Sequence, residues 1–139
     1  MKAIFDLDGT VALIDHRRYL ADEHWPSFER SCVTDQPNKP VIEVMRALQA
    51  QGWYIEIWSA RSEKVRGYTE DWLHDHGIVW FVSLRMRPEG DSRNDAILKE
   101  EWLLAETYKP DIVFDDRQQV VDMWRRHGIT CCQVAPGDF

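Results

Sequence analysis

Residues 1–11 have the sequence MKAIFDLDGTV, in which a short apolar run is followed directly by Asp6 and Asp8 and then by Gly9. Two carboxylates so close in sequence repel each other, and both are costly beside a buried strand. Either this is an acidic turn, or a positively charged group lies between the two side chains. Alternation along an extended strand predicts that Asp6 and Asp8 face one side while Leu7 faces the core.

Glycine follows three amphipathic segments, at Gly52, Gly77 and Gly128, and a hydrophobic run comes after each of them. Glycine is favoured just beyond a helix because it adopts the left-handed conformation without a Cβ penalty. Strands that alternate with helices indicate βαβ units and a parallel sheet. Five buried strands are predicted, at residues 3–5, 53–58, 80–84, 112–114 and 130–134.

We therefore predict one α/β domain over residues 1–139, with a central, mostly parallel sheet of about five strands. Residues 12–39 do not fit the alternation of strands and helices. This segment is predicted to be a small helical insertion or cap that follows the first strand and partly covers the site. With 139 residues, 44% of them hydrophobic, the chain is long enough to bury a substantial core.

Composition excludes several classes of protein. The net charge of −7 argues against broad, non-specific binding to nucleic-acid backbone, although a local basic pocket is compatible with it. No apolar stretch approaches the ~20 residues of a membrane span, and a signal peptide is not predicted. The odd number of cysteines, with Cys131 and Cys132 adjacent, favours a reducing, cytoplasmic location. The histidines have no zinc-ligand spacing.

Polar residues follow four of the predicted strands. Ligands of open parallel sheets bind beyond the carboxyl ends of the strands, so these side chains are predicted to converge. In chain order they are Asp6 and Asp8, Ser59 and Arg61, Arg85 and Arg87, and Asp115, Asp116 and Arg117.

Several carboxylates at one point require a cation, and a set of oxygen ligands favours Mg²⁺. A calcium-binding EF-hand is excluded, because its sixth and twelfth positions would be Val11 and Arg17 instead of glycine and glutamate. A carboxylate in such a site can attack a phosphoryl group, and a second can protonate the leaving oxygen and then activate water. Lys99 is a candidate to neutralise developing charge, and it shares a helix face with Asp95, four residues earlier.

These segments, FDLDGTV, WSAR, the Asp95–Lys99 pair and FDDR, resemble in order and spacing the four motifs of the haloacid dehalogenase (HAD) superfamily. The sequences DSRNDAILKEE and VFDDRQQVVDMWRRHGITCCQVAPGDF are similar to the 3′-phosphatase domain of phage polynucleotide kinase-phosphatases, and this similarity extends from about residue 3 to residue 139. The resemblance implies a HAD-like Rossmannoid three-layer sandwich and a Mg²⁺-dependent phosphatase.

The resemblance also implies roles for individual residues. Asp6 would be the nucleophile, and Asp8 the general acid and base with its carbonyl oxygen near the metal. Asp115 and Asp116 would hold Mg²⁺ together with Asp6 and Asp8. Ser59 and Lys99 would contact the transferred phosphoryl group. Four positions match residues that engage substrate in that domain: Arg17, Arg61, Arg87 and Asp95.

The chain departs from the family pattern at Ala60, where glycine is usual. This difference concerns the range of substrates that the site accepts. It has no G-x-x-x-x-G-K-[ST] loop, so no kinase module is predicted. Arg85 is expected at the surface, and Trp25 is a candidate to stack a base.

The predicted substrate is the 3′-phosphate end of a polynucleotide, and a separate kinase or ligase is the expected partner. Two alternatives are a phosphatase of free nucleotides or other small phosphate esters, and a non-catalytic subunit that binds phosphate or nucleic-acid ends.

Overall fold

The computed structural model describes residues 1–138 and contains a central sheet of five strands in the order β5-β4-β1-β6-β7. Every neighbouring pair in this sheet is parallel. The strands are β1 (Lys2–Phe5), β4 (Tyr54–Ser62), β5 (Ser83–Arg87), β6 (Ile112–Asp115) and β7 (Thr130–Gln133). β1 is therefore the middle strand of the sheet.

Four helices cover the two faces of the sheet: α3 (Lys39–Ala50), α4 (Arg66–Asp75), α5 (Asp95–Ala105) and α6 (Gln118–Arg126). One core contains apolar residues of α3 and α4 together with Phe5, and the other contains residues of α5 and α6 together with Ile4. Adjacent residues of β1 point into opposite cores because side chains alternate along a strand. The predicted three-layer α/β sandwich is confirmed.

The predicted helix ends at glycine are confirmed. Gly52, Gly77 and Gly128 each lie two residues past the last residue of α3, α4 and α6, with φ values of 86°, 72° and 72°. Side chains with a Cβ rarely adopt this conformation, so glycine allows each helix to stop and the chain to turn back toward the sheet.

The boundaries of two predicted strands were wrong. The hydrophobic run at residues 80–84 precedes most of strand β5, because Trp80 and Phe81 pack against the edge of a core without joining the sheet. β4 continues past Trp58 to Ser62, with an irregularity in its pairing to β5 between Ser59 and Ser62. The residues predicted to follow these two strands therefore lie within them.

Between β1 and α3 the chain forms a small substructure, which we call the β2–β3 segment (residues 12–37). Its two short strands, β2 (Ala12–Leu13) and β3 (Gln36–Pro37), pair antiparallel. Two short helices, α1 (Tyr19–Glu23) and α2 (Trp25–Arg30), lie between them, each adjoining a 3₁₀ turn. Within residues 1–138, no helix has the length and apolar character needed to cross a bilayer.

Candidate active site

The turn after β1 places Asp6 at the centre of the carboxyl edge of the sheet. Strand β1 ends at Phe5, and the Asp6 N–H still donates to the carbonyl oxygen of Phe114 at 2.9 Å. The chain then turns, with Leu7 buried in the core as predicted and its carbonyl oxygen accepting three backbone N–H groups. The turn begins before Asp8, so the two aspartates do not continue one extended strand.

Gly9 is required by its surroundings as well as by its backbone conformation. Its φ is 81°, and a Cβ at this position would lie 2.1 Å from Oδ2 of Asp116. Any side chain here would push against the carboxylate that follows strand β6. The sequence DLDG therefore brings the first and fourth motifs into direct contact.

Three buried carboxylates meet at this edge. Asp6, Asp115 and Asp116 each offer a carboxylate oxygen, and these atoms lie within 4.8 Å of one another. Lys99 of helix α5 donates to Asp6 Oδ1 at 2.7 Å and to Asp115 Oδ2 at 2.9 Å. We call these four residues the acidic cluster. It contains three carboxylates and one ammonium group.

The acidic cluster is short of positive charge, and the pKa values reflect this. Burial raises the pKa of Asp6 well above its ordinary value; Lys99 opposes the rise, and the charges of Asp115 and Asp116 add to it. Burial and then the charge of Asp115 raise the pKa of Asp116 to about 7. Burial alone would lower the pKa of Lys99, but Asp115 and Asp6 outweigh it and raise that pKa.

Asp116 also has a buried oxygen, Oδ2, without a hydrogen-bond partner in the described part of the chain. Both oxygens of Asp115 are occupied, since Oδ1 accepts the backbone N–H groups of Asp116 and Arg117 and Oδ2 accepts Lys99. An unpartnered carboxylate oxygen beside two further carboxylates suits a divalent cation with oxygen ligands. The residues present therefore fit Mg²⁺, the metal that HAD phosphatases generally use.

Asp8 belongs to a different group of charges. Its carboxylate accepts Arg17 Nη2 at 2.6 Å and Arg61 Nη2 at 2.7 Å, and it is not part of the group of possible metal ligands. Asp35 is the second carboxylate: it accepts Nε of Arg17 at 2.6 Å and Nη2 of Arg61 at 3.0 Å. We call Asp8, Asp35, Arg17 and Arg61 the arginine cluster. Its two carboxylates balance its two guanidinium groups.

The arginine cluster shifts the pKa of Asp8 in the opposite direction from that of Asp6. Burial would raise the pKa of Asp8, but Arg61 and then Arg17 outweigh it and hold that pKa below its ordinary value. Burial raises the pKa of Asp35, although Arg17 and Arg61 oppose this. Asp35 was not predicted as a site residue, because no feature of the sequence distinguishes it from an ordinary polar residue of a turn. Its carbonyl oxygen accepts the indole N–H of Trp72 at 2.8 Å.

The other predicted residues surround these clusters. Ser59 is fully buried, and its hydroxyl accepts the backbone N–H of Arg61 at 3.1 Å. Arg87 donates to Asp95 Oδ1 at 2.6 Å and to the carbonyl oxygen of Ala60 at 2.9 Å, while Arg117 donates to the other oxygen of Asp95. Asp95 therefore connects Arg87 of β5 with Arg117, which lies between β6 and α6.

Two charged side chains make contacts that the sequence did not indicate. Lys99 and Asp95 do not form a pair with each other, because Lys99 instead pairs with Asp6 and Asp115. Arg85 is not simply a solvated surface residue: its guanidinium lies 4.5 Å from the ring centroid of Trp58 and donates to Glu106 at 2.7 Å.

One cavity of about 250 Å³ opens between the sheet edge and the β2–β3 segment. Ser59 and Arg87 are not among the residues that line it. Eight of the predicted site residues do line it: Asp6, Asp8, Arg17, Arg61, Asp95, Lys99, Asp115 and Asp116.

A parallel sheet with paired aspartates after its central strand, a helix lysine and a second aspartate pair defines a phosphatase of the HAD class. Solved structures agree in fold: a protein from Clostridium difficile, provisionally named a phosphatase, is 14% identical, with a TM-score of 0.70 over 95% of this chain and 83% of that chain. Within this class, the whole chain, residues 1–139, matches the family described as the polynucleotide kinase PNKP phosphatase domain, and the chain belongs to that family.

More similar relatives are larger than this chain. A chain from the structure of the Pnkp1/Rnl/Hen1 complex is 38% identical, with a TM-score of 0.86, and the match covers 99% of this chain and 47% of that one. A protein of Autographa californica nuclear polyhedrosis virus, provisionally named bifunctional polynucleotide kinase/RNA ligase, is 31% identical over 124 residues, which are 86% of this chain and 17% of the viral protein. This chain thus spans less than half the length of these relatives.

Proposed function

We propose that the chain is a Mg²⁺-dependent phosphomonoesterase that removes 3′-phosphates from polynucleotide ends through an aspartyl-phosphate on Asp6. The observation that carries this proposal is the acidic cluster, in which buried Asp6 lies beside Lys99, Asp115 and Asp116 at the wall of an open cavity. A structural role for three buried carboxylates with one ammonium would be costly, because buried charges require partners.

Asp6 and Asp116 would hold the metal directly, because Asp116 has a free buried oxygen while both oxygens of Asp115 are occupied. Asp115 would act by holding Lys99 in place. When bound, Mg²⁺ would supply positive charge that offsets the carboxylates and the phosphate oxygens. The sequence leaves open which aspartate of the FDDR motif contacts the metal, and the unpartnered oxygen supports Asp116.

In the proposed reaction, a carboxylate oxygen of Asp6 attacks the phosphorus atom and forms an oxygen–phosphorus bond. The bond from phosphorus to the 3′-oxygen breaks, and Asp8 gives that oxygen a proton. In the second step Asp8 takes a proton from water, whose oxygen attacks phosphorus and releases inorganic phosphate, which restores Asp6. Lys99 holds Asp6 Oδ1 at 2.7 Å and carries the positive charge nearest to the reacting oxygen.

The arginine cluster would control when Asp8 carries the proton that it gives to the leaving oxygen. Arg17 and Arg61 hold the pKa of Asp8 low, which favours its ionised form. Phosphate oxygens of a substrate would compete with Asp8 for the two guanidinium groups, because arginine binds phosphate as well as carboxylate. Loss of these partners would raise the proton affinity of Asp8 when substrate is present.

Two observations support a polynucleotide end as the substrate. The chain belongs to the PNKP phosphatase family, and one relative comes from a structure of an RNA repair complex. The cavity, at about 250 Å³, is smaller than the roughly 300–1,000 Å³ typical of sites that enclose a small molecule. The terminal nucleotide would bind there with its phosphate inside, while the preceding nucleotides stay outside. The β2–β3 segment would cover the site only partly, within one domain over residues 1–139.

A kinase or ligase would act with this phosphatase. Two relatives support this partner: a chain from a Pnkp1/Rnl/Hen1 complex, and a viral protein whose name joins a kinase with an RNA ligase. Removal of a 3′-phosphate leaves a 3′-hydroxyl, which is the end that a ligase joins. The partner would therefore use the product of this site.

The test is release of phosphate from four classes of substrate, with and without Mg²⁺: 3′-phosphorylated DNA and RNA oligonucleotides, nucleoside 3′-monophosphates, nucleoside 5′-monophosphates and an aryl phosphate. We expect the oligonucleotides to have the highest kcat/KM, and Asp6→Asn to lower it by about 10³-fold or more. Asp75→Asn, a matched change at an exposed helix end, should leave it unaltered. Full activity of Asp6→Asn would contradict the mechanism.

Acid-quenched protein would carry labelled phosphate derived from the substrate if the intermediate forms on Asp6. No label on the wild-type protein during turnover would argue for direct attack by water. Preference for mononucleotides over oligonucleotides would instead indicate a phosphatase of free nucleotides, which the net charge of −7 also permits.

A further inference from the structure

Trp25 differs from the other six tryptophans of the chain. The others are buried or partly buried, whereas Trp25 is 52% exposed. A single exposed apolar residue is ordinary. Trp25, however, lies on the wall of the cavity that contains the acidic cluster. A large, partly exposed ring beside a phosphate site calls for an explanation other than packing.

The ring of Trp25 is held in place by its local structure. Trp25 begins helix α2, where Nδ1 of His24 accepts the backbone N–H of Ser27 at 3.2 Å and caps the helix. Pro26 in the first turn restricts the backbone further. The Trp25 ring also packs against Phe28, with 4.9 Å between the ring centroids. The exposed part of the ring therefore belongs to a fixed surface.

This surface is connected to the proposed acid. The guanidinium of Arg17 lies 4.4 Å from the centroid of the Phe28 ring, and its Nη1 donates to the Phe28 carbonyl oxygen at 2.9 Å. Nη2 of the same arginine donates to Asp8 at 2.6 Å. Trp25, Phe28 and Arg17 thus form a continuous series of contacts from the cavity mouth to Asp8.

We propose that Trp25 stacks on the base of the terminal nucleotide whose 3′-phosphate enters the cavity. This inference rests on the proposed function. Every nucleobase has a flat π-face, so stacking on tryptophan binds nucleotides without selecting among the four bases. Such a contact would let a site of this size recognise a nucleic-acid end by its phosphate and one base, without a long basic groove.

The experiment compares two oligonucleotides that differ only at the 3′-phosphorylated terminal nucleotide, which either carries a base or is abasic. The measured quantity is the ratio of kcat/KM for the first to kcat/KM for the second. Stacking on one aromatic residue predicts a ratio of about 10 in the wild-type protein. Trp25→Ala should bring the ratio close to 1, mainly through KM, whereas Trp25→Phe should keep most of it.

Tyr108→Ala is the matched control, because Tyr108 is 81% exposed and lines a depression outside the site. It should leave the ratio unaltered. A ratio that stays the same in Trp25→Ala would overturn the proposal. Equal losses on both oligonucleotides would also overturn it, because they would indicate support of Arg17 through Phe28 instead of contact with a base.

The result of the Trp25 experiment can be distinguished from the result that tests the proposed phosphatase activity. Loss of activity in Asp6→Asn together with an unaltered ratio in Trp25→Ala would retain the phosphatase and reject the stacking contact. If mononucleotides were the better substrates, the proposed polynucleotide substrate would be wrong. The same ratio would then be measured with a nucleoside 3′-monophosphate and its base-free sugar phosphate.

Discussion

The acidic cluster and the arginine cluster lie on one cavity, yet their charges are arranged in opposite ways. The acidic cluster has three carboxylates around a single ammonium group, whereas the arginine cluster pairs two carboxylates with two guanidinium groups. In a balanced group every buried charge is compensated by a partner, whereas an unbalanced group leaves charge uncompensated. The difference separates a part of the site in which each charge has a partner from a part with an excess of negative charge.

Among the changes that compare the two clusters, removal of Lys99 should have the largest effect. Lys99→Ala removes the ammonium group that donates to two of the three buried carboxylates, and with it the charge beside the proposed nucleophile. We expect kcat to fall by about 10²–10³-fold, the usual cost of losing one such group. Steady-state kinetics at saturating Mg²⁺ measures this. Activity near that of the wild type would mean that the acidic cluster does not require its lysine.

Removal of Asp35 should destabilise the balanced cluster. Asp35→Ala leaves Arg17 and Arg61 with Asp8 as their only carboxylate among the contacts described. We expect the free energy of unfolding to fall by about 3–5 kcal/mol, because breaking a buried ion pair leaves a charge uncompensated. Denaturant unfolding measures the change, with exposed Asp75→Ala as the control. A loss below about 1 kcal/mol would indicate that the two arginines find other partners.

Removal of a carboxylate from the acidic cluster should instead raise the free energy of unfolding. Asp116→Asn removes one of three repelling carboxylates, so the metal-free protein should gain on the order of 1–3 kcal/mol at pH 8. Asp75→Asn should give no gain. Mg²⁺ should raise the melting temperature of the wild-type protein, but have little effect on Asp116→Asn. A loss of stability in metal-free Asp116→Asn would contradict the contrast between the clusters.

The pH dependence of stability follows from the raised pKa of Asp116, which is about 7 in the folded protein against the ordinary value of 3.8 in the unfolded chain. Between these values the folded protein keeps a proton that the unfolded chain has lost. The stability contributed by this group is complete below pH 4 and is lost as the pH rises through about 7. Thermal unfolding of the metal-free protein from pH 5 to pH 8 should show this decline, and Asp116→Asn should reduce it. A flat profile in the wild type would contradict it.

The smallest effect is expected at the border of the arginine cluster. The Thr69 hydroxyl accepts Nη1 of Arg61 at 3.2 Å and donates to the Val65 carbonyl oxygen at 2.9 Å. Thr69→Val keeps the shape and removes both bonds, which should cost about 1 kcal/mol of stability. Denaturant unfolding again measures the loss. A cost as large as that of Asp35→Ala would show that the guanidinium depends on Thr69 as much as on its carboxylates.

Much of the fold was accessible from the sequence because the signals are local. The apolar run before Asp6 and the glycines after three helices are fixed by neighbouring residues, and both predictions were confirmed. The position of β5 was not accessible, since the hydrophobic run at residues 80–82 packs on the core edge, and only the tertiary structure distinguishes this from strand pairing.

The site shows the same limit. The motifs predicted that Asp6, Lys99 and Asp115 would converge, and the structure places Lys99 within hydrogen-bonding distance of both aspartates. Asp35 could not be predicted, because its importance comes from two arginines that are 18 and 26 residues away in sequence. Partners of buried charges become visible only when the distances between side chains are known.

The central place of β1 in the sheet has a consequence for local motion. Proteins open first at their edges, and the strands with neighbours on both sides open last. Asp6 follows a strand that has β4 on one side and β6 on the other, and its own N–H is bonded to Phe114. Amide hydrogen exchange at Phe5 and Asp6 should therefore be as slow as global unfolding, while exchange in β5 and β7 is faster. The residue proposed to carry the phosphoryl group would stay in place while the edges of the sheet fluctuate.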